Sequence, residues 1–499
     1  MYRLEIKLAK TELMIHGHSC CEIRGSNYSI ICDPWLVGSA YWRSWFNFPS
    51  SPDFDSLIKK WSSQKNIFFY ITHLHWDHFH GPTIKKIIKK CPNNYKFLIP
   101  KTPEKRLFSD LKSIVDKNQI IELIHAKRYK LVEDLSILSF QSGPFFADSV
   151  ISIFSKNFCL LNINDAKIFK LSLRHLLSLI PKPDYVLRSH SSANDRCCLR
   201  ERDGKIKNHT FDKSRIDYSK EFFDICKSTN AQYAIPFASN MACLHKETFK
   251  YNSILNFSDY VAEDFKKLSS KYKNMKCKLL LPTEKIFLEN KKQSINKELR
   301  DNLFKTSREI YLKNYQNSVK DILSKQYGIE DKTKANNKLI VNYFLKIINS
   351  TPFFIKKYLS NTIYIRVFSK NEVNIFNIDF SKNNINESNF IPFKKNDVII
   401  NVHAYVINDV CRKSHWNSLG VSKRLEVWME PNNNRYLFFN FLCNTIESKG
   451  FLPLKNIFSI RFTSVWIKRY REILDIIYLI IKLKFLKKVK NLVLTSSKI

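Results

Sequence analysis

The chain has 499 residues, 44% of them hydrophobic and 14% aromatic. That is enough for two to four domains of roughly 100–200 residues, and too apolar for a disordered protein. Lys and Arg outnumber Asp and Glu by 37, an excess that suits nucleic acid or an anionic membrane surface, but the basic residues are spread along the chain rather than gathered in one block.

The twelve cysteines form no C-x-x-C pair. This excludes a zinc ribbon or a thioredoxin-type redox motif, and they read as reduced core residues. Residues 1–7 hold no apolar run of the signal-peptide kind, and the apolar stretch 473–481 is too short for a bilayer and contains Asp475. The expectation is therefore a cytoplasmic protein with no transmembrane segment.

In chain order, residues 28–32, 66–71 and 184–187 read as strands, rich in β-branched and aromatic side chains. Residues 82–90 read as a helix, with Ile84, Ile87 and Ile88 on one face and Pro82 in the first turn. Such alternation implies an α/β layer structure over residues 1–290. A polar helical connector is expected over 291–340. A C-terminal α+β domain follows over 341–499, with strands at 362–368 and 397–402 and an ordered turn at 416–424. Residues 461–499 carry ten Lys/Arg against two acids. They suit either peripheral contact with a membrane or RNA, or a basic terminal helix docked on the second domain.

The chemistry is concentrated early. Six of the thirteen histidines lie between residues 16 and 80, and four of those six fall within residues 72–80, Thr-His-Leu-His-Trp-Asp-His-Phe-His. The stretch follows a strand and precedes a helix, which is where α/β proteins place their sites. Imidazoles at i and i+2 of an extended segment project to one side and reach one ion, and a neighbouring carboxylate and imidazole suit a second divalent metal. His80 fits no slot of this pattern and reads as structural.

His73-x-His75-x-Asp77-His78 resembles the signature of the metallo-β-lactamase-fold metal-dependent hydrolases. Gly17-His18-Ser19-Cys20, Asp33-Pro34-Trp35-Leu36, the aromatic run 41–49 and Ile235-Pro-Phe-Ala-Ser-Asn240 narrow the likeness. It extends to the branch that holds the L-ascorbate-6-phosphate lactonases and the CMP-N-acetylneuraminate hydroxylase-like proteins, and covers about residues 10–290. The resemblance implies a four-layer αββα sandwich, with a C-terminal α+β extension beyond it, and one or two divalent ions (Zn, Fe or Mn) at the sheet edge. It implies His73, His75 and a third residue on one metal, Asp77, His78 and a last histidine, His190, on the other, and Asp165 as the bridging acid. Where most relatives carry a third histidine this chain has Gly143-Pro-Phe-Phe-Ala-Asp148. Asp148 is thus the candidate ligand, an ordinary strand-capping acid being the alternative; His125 and His175 lie out of place. Asp77 and His78 are the catalytic candidates. His18 is a candidate for substrate contact or a structural hydrogen bond, with Asn240 and His245 as weaker ones, and Arg43 or Arg188 would suit an anionic substrate.

Three functions follow as expectations. The first is a metallohydrolase acting on an ester, lactone or phosphodiester of an anionic small molecule, such as a sugar or nucleotide-sugar derivative. The second is a metal-dependent oxidoreductase partner in sialic-acid-like sugar modification. A Rieske centre within this chain is excluded, because Cys243-Leu-His245 has no companion C-x-x-H. The third is a nucleic-acid-processing hydrolase.

Overall fold

The computed structural model describes residues 11–482 apart from 92–93, 144–147, 192, 202–213, 271, 273, 361, 431–432, 449 and 451–459. Most of the segment before Asp148, and the tail beyond residue 482, lie outside the described residues.

Strands Tyr28–Cys32, Asn66–Tyr70, Tyr95–Pro100 and Ile120–Leu123 pair in parallel. The near-continuous burial of Tyr28–Cys32 and Asn66–Tyr70 explains why these two read as apolar runs rather than alternating ones. On the far edge this sheet is extended antiparallel by Cys21–Arg24, Glu12–Ile15, Lys285–Phe287 and Gln293–Ser294. A second sheet of seven strands is centred on Asp148–Phe154, Cys159–Asn164 and Tyr185–Arg188.

The two sheets face each other across a core that includes Ile23, Ile30, Tyr70 and Leu98 from the first, and Ile137, Ile151, Leu160 and Leu187 from the second. Helices Phe54–Ser62, Gly81–Lys90 and Arg106–Lys112 cover the outside of the first sheet through Trp61, Ile84, Ile87 and Leu111. Helices Lys170–Leu179, Arg215–Ser228 and Ser258–Leu268 cover the second through Leu173, Leu176, Phe222 and Phe265. The result is four layers, αββα. In Gly81–Lys90 the buried face is the one read from the sequence, and His80 caps this helix by accepting from Thr83 N at 3.3 Å.

Helices Lys297–Phe304, Arg308–Ser318 and Lys320–Lys332 lead to a third sheet, built around Ile363–Phe368 and Val398–His403, which run parallel. Helices Asn337–Ser350, Ala404–Lys413 and Arg435–Ser448 pack with it. Leu199–Arg200, from the first half of the chain, adds the edge strand by pairing with Leu425–Met429. The aromatic run 41–49 lies in this same core: Tyr41, Trp42, Trp45 and Phe46 are buried among residues of both halves.

Two readings need correction. Residues 416–424 form the helix Trp416–Ser422 rather than a turn. Its Asn, Ser, Gly and Val are poor helix formers, and burial of Trp416 and Leu419 overrides that preference. The terminal helical segment 470–482 docks on the second sheet's helices rather than on residues 341–460, where it was expected. Asp475 accepts from Leu171 N, Ser172 N and Ser172 Oγ at 3.1, 2.9 and 2.9 Å, satisfying donors at the start of Lys170–Leu179. Among the described residues no helix is long and apolar enough to cross a membrane.

Candidate metal centre

The histidine-rich loop leaves strand Asn66–Tyr70 at the edge where the two sheets meet. Its shape is set by Asp33, which follows the adjacent strand Tyr28–Cys32 and is fully buried. Asp33 accepts from Thr72 N and Thr72 Oγ1, both at 2.8 Å, from Asn164 Nδ2 at 2.7 Å and from His78 Nδ1 at 2.9 Å. With Nδ1 held in this way His78 presents Nε2, which is buried and has no hydrogen-bond partner. A carboxylate in this position fixes the tautomer and ring orientation of a metal-binding histidine.

Two groups of three donors result, each with its ligand atoms within 4.8 Å of one another. The inner group is His18, Asp77 and His78, all buried. Asp77 Oδ2 lies 2.9 Å from His18 Nε2 and 3.4 Å from His78 Nε2, and Oδ1 accepts from Tyr41 Oη at 2.5 Å. The outer group is His73, His75 and Asp165. His73 Nε2 lies 2.7 Å from His75 Nδ1 and 3.7 Å from Asp165 Oδ2. The same Asp165 oxygen is 3.9 Å from His78 Nε2, so Asp165 stands between the groups. Two imidazoles and a carboxylate in each set fit a divalent first-row ion. So do the buried atoms left without hydrogen bonds, His78 Nε2 and Asp165 Oδ1.

The local charges are consistent with that fit. Burial opposes the charged form of Asp77, but His78 and His18 overcome it and hold the carboxyl well below its usual range. Burial lowers His73 and His75, each helped by a neighbouring imidazole, so both are neutral donors at pH 7. Burial likewise works against the Asp165 carboxylate, yet His73 and His78 bring it down to about 2. Asp148 is pushed up to about 6, by burial and then by Asp165.

Asp165 owes its position to a register shift at Asn162/Asn164 in strand Cys159–Asn164, with Asn164 at φ 60°. Arg188 Nη1 locks this bulge by donating to the carbonyls of Asn164 and Ala166 at 3.0 and 2.9 Å. Arg188 is therefore a scaffold residue, not a substrate contact. Arg43 donates to Ser39 Oγ.

His18 is brought to the inner donor group, a closer role than substrate contact. His190 is buried after strand Tyr185–Arg188. Both its ring nitrogens lack hydrogen-bond partners, and burial followed by the neighbouring His18 lowers it to about 3; it is not within either three-donor group. Asp148 lies beside His73 and His75 in the wall of the adjoining cavity, also outside both groups. His245 is turned away. It is buried 3.3 Å from Glu330 and 4.9 Å from the Tyr327 ring, in the contact with helix Lys320–Lys332. Asn240 belongs to the ribbon of Trp45–Asn47 with Met241–Cys243, its carbonyl accepting from Phe48 N. Neither lines the cavity, because the short ribbon and the connector helices cover them.

That cavity, about 40 Å³, has room for about one water molecule. His73, His75 and Asp148 form one side; His415, Asn444 and Glu447 of the C-terminal half form the other. Arg106 ties the two together, donating to the carbonyls of Glu447, Lys413 and Ser414 at 3.0, 3.2 and 2.6 Å. Glu447 accepts from Trp416 N and from Tyr343 Oη at 2.9 Å, and burial, partly offset by Arg106, pushes it up to about 7. Sequence reading missed these residues and Asp33 and Tyr41. Asp33 and Tyr41 lay in stretches that carried the resemblance, Asp33 also as an acid directly after a buried strand; the others had no signal.

Tyr41, Trp42 and Arg43 all occupy the left-handed region, at φ 54°, 54° and 63°, each at a cost of about 1–2 kcal/mol for a residue with a side chain. The turn puts Tyr41 on Asp77 and Trp42 Nε1 on Asp409 at 2.9 Å. Trp76, inside the histidine loop, packs its ring 4.9 Å from Trp42 and 5.2 Å from His415. Strain of this kind concentrates at sites that need a fixed geometry.

Four layers, a mixed sheet order and a donor-rich loop at the shared sheet edge are the architecture that the sequence resemblance to the metallo-β-lactamase fold implied. No protein-family model matches the chain. A Mycolicibacterium smegmatis protein named for a Rieske 2Fe-2S iron-sulfur centre is 27% identical over 168 residues, covering 32% of this chain and 30% of that protein. The Xenopus laevis cytidine monophosphate-N-acetylneuraminic acid hydroxylase is 34% identical over 76 residues, covering 15% of this chain and 12% of the hydroxylase. The chain thus matches less than a third of the length of these curated relatives. Among solved structures, a metallo hydrolase from Ignicoccus hospitalis is 15% identical with a TM-score of 0.37, over 58% of this chain and all of that one.

Proposed function

We propose that the chain is a metal-dependent hydrolase that cleaves an ester, lactone or phosphodiester bond in an anionic small molecule. The observation that supports this most is the pair of donor groups joined through Asp165. We assign His73, His75 and Asp165, with Asp148 alongside, to one ion, and His18, Asp77 and His78, with the unpartnered His190, to the other. A divalent ion bound there supplies Lewis acidity and brings the pKa of a coordinated water from 15.7 toward about 7. The chain's own groups do the rest. Asp33 and Thr72 hold the imidazoles in one tautomer, Tyr41 fixes the orientation of Asp77, and His415, Asn444 and Glu447 close the water-sized cavity beside His75. The C-terminal domain, clamped by Arg106, keeps bulk water out and strengthens these interactions.

A second reading, a metal-dependent oxidoreductase acting on a sugar nucleotide, draws support from the names of the sequence relatives and from the carboxylate of Asp148 beside His73 and His75, an oxygen donor that leans toward iron or manganese. One experiment separates the two. Protein purified without chelator is analysed for metal and assayed on phosphodiesters, lactones and sugar esters beside a His75→Ala/Asp165→Ala variant. About two equivalents of metal and a hydrolytic rate, both lost in the variant, support the hydrolase. Metal that reacts with oxygen and gives no hydrolysis favours the oxidoreductase. No metal after reconstitution overturns both.

A further inference from the structure

The third sheet has a second face that the metal chemistry does not use. Along strand Ile363–Phe368, Ile365 and Val367 enter the core, which leaves Arg366 and Phe368 on the opposite side. Register places Arg366 beside Asn401, and Asn401 beside Glu426, with Trp428 two residues further along the last strand. Tyr251 and Lys250, on the turn Phe249–Ile254, form a wall over this floor, and the half-open cavity is about 490 Å³. Pockets for small ligands run from about 300 to 1,000 Å³ and combine aromatic surface with a few convergent polar groups.

Its charges are unevenly matched. Glu426 is engaged by Arg200 at 3.2 Å and Lys250 at 3.1 Å, and Glu247 by Arg424 at 2.7 Å. Half-buried Arg366 donates once, to Asn401 Oδ1 at 3.2 Å, and meets no carboxylate among the described residues. Trp428 is half-buried too, and its Nε1 is enclosed without a hydrogen-bond partner. A guanidinium with donors to spare offers a two-pronged site for phosphate or carboxylate, and Trp428, Phe368 and Tyr251 offer faces and edges for a flat ring.

We infer that this cavity is a binding site, separate from the metal centre, for a small molecule joining a planar ring to an anionic group, of the size of a nucleoside monophosphate. It shares no lining residue with the cavity over His73 and His75. The test is calorimetric titration of the full chain with CMP and AMP, and with inorganic phosphate and cytidine as half-ligands. Saturable binding of a monophosphate is expected, with each half-ligand weaker by about tenfold or more, which is about 1.4 kcal/mol. Arg366→Gln is expected to weaken the monophosphate by about tenfold and Trp428→Leu several-fold, whereas Asp165→Asn leaves it unchanged. Hydrogen exchange on the unmutated protein gives a reading that does not depend on variants, through slowed exchange in Ile363–Phe368 and Leu425–Met429 on adding the monophosphate. No saturable binding up to about 5 mM, binding indifferent to Arg366→Gln, protection confined to the metal loop, or loss of binding in Asp165→Asn would each overturn the proposal. Loss of the metals would leave it standing.

Discussion

The two donor groups draw on one loop and one bridging acid, yet they are built in opposite ways. Inner Asp77 is held by His18, Tyr41 and His78, and behind His78 stands Asp33 with four donors of its own. The outer group has Asp165 with its side chain 27% exposed and His75 facing a cavity walled by residues of the C-terminal half. A buried carboxylate surrounded by partners is part of the folding core as well as a ligand. A donor at a cavity wall has fewer partners and is less tied to the core. The same chemistry has thus been divided into a structural half and an accessible half.

Breaking the inner group should have the largest effect. Asp77→Ala strands His18 and Tyr41 in the core, and a loss of about 3–5 kcal/mol is expected, read as a lower midpoint in denaturant. A change under about 1 kcal/mol would show that the inner group is no more structural than the outer. Asp33→Asn comes next. It keeps the shape but disturbs the His78 tautomer, so metal affinity should fall about 10–100-fold, as measured by competition with a chelator. His75→Ala should remove one of two metal equivalents and change stability by less than about 1 kcal/mol; loss of both metals would mean the groups fill only together.

Glu447 gives a smaller effect with a defined sign. Folding raises it from 4.5 to about 7, so the folded chain keeps a proton that the unfolded chain releases. Its contribution is complete below about pH 4.5 and is lost as pH rises through about 7, amounting to at most about 3 kcal/mol. The melting temperature of the unmutated chain should therefore fall between pH 5 and pH 8 more steeply than that of Glu447→Gln; parallel curves would refute a protonated Glu447. Asp148→Asn is expected to do least, weakening only the outer metal.

Much of this was legible in the chain itself. The spacing of His73, His75, Asp77 and His78 after a buried strand is local, because i and i+2 side chains of an extended segment share a side whatever surrounds them. β-Branched and aromatic runs likewise gave the strands at 28–32 and 66–71, and the spacing of Ile84, Ile87 and Ile88 gave the buried face of Gly81–Lys90. His18, Asn240 and His245 show where that reading stopped. All three sit in motifs of similar promise, but one reaches Asp77 across 59 residues of chain, one belongs to a two-stranded ribbon and one is enclosed by a connector helix.

The sequence by itself determined the α/β alternation and the His73–His78 loop, since each depends on neighbours within a few residues; Asp165 came from the resemblance, and its position rests on the bulge that Arg188 locks. Only the tertiary structure decided which side chains complete the centre and what covers it. Asp33, Tyr41, Arg106, His415 and Glu447 come from distant segments, and their positions depend on how sheets and domains pack. Packing is a property of the whole chain's surfaces, which no local spacing encodes.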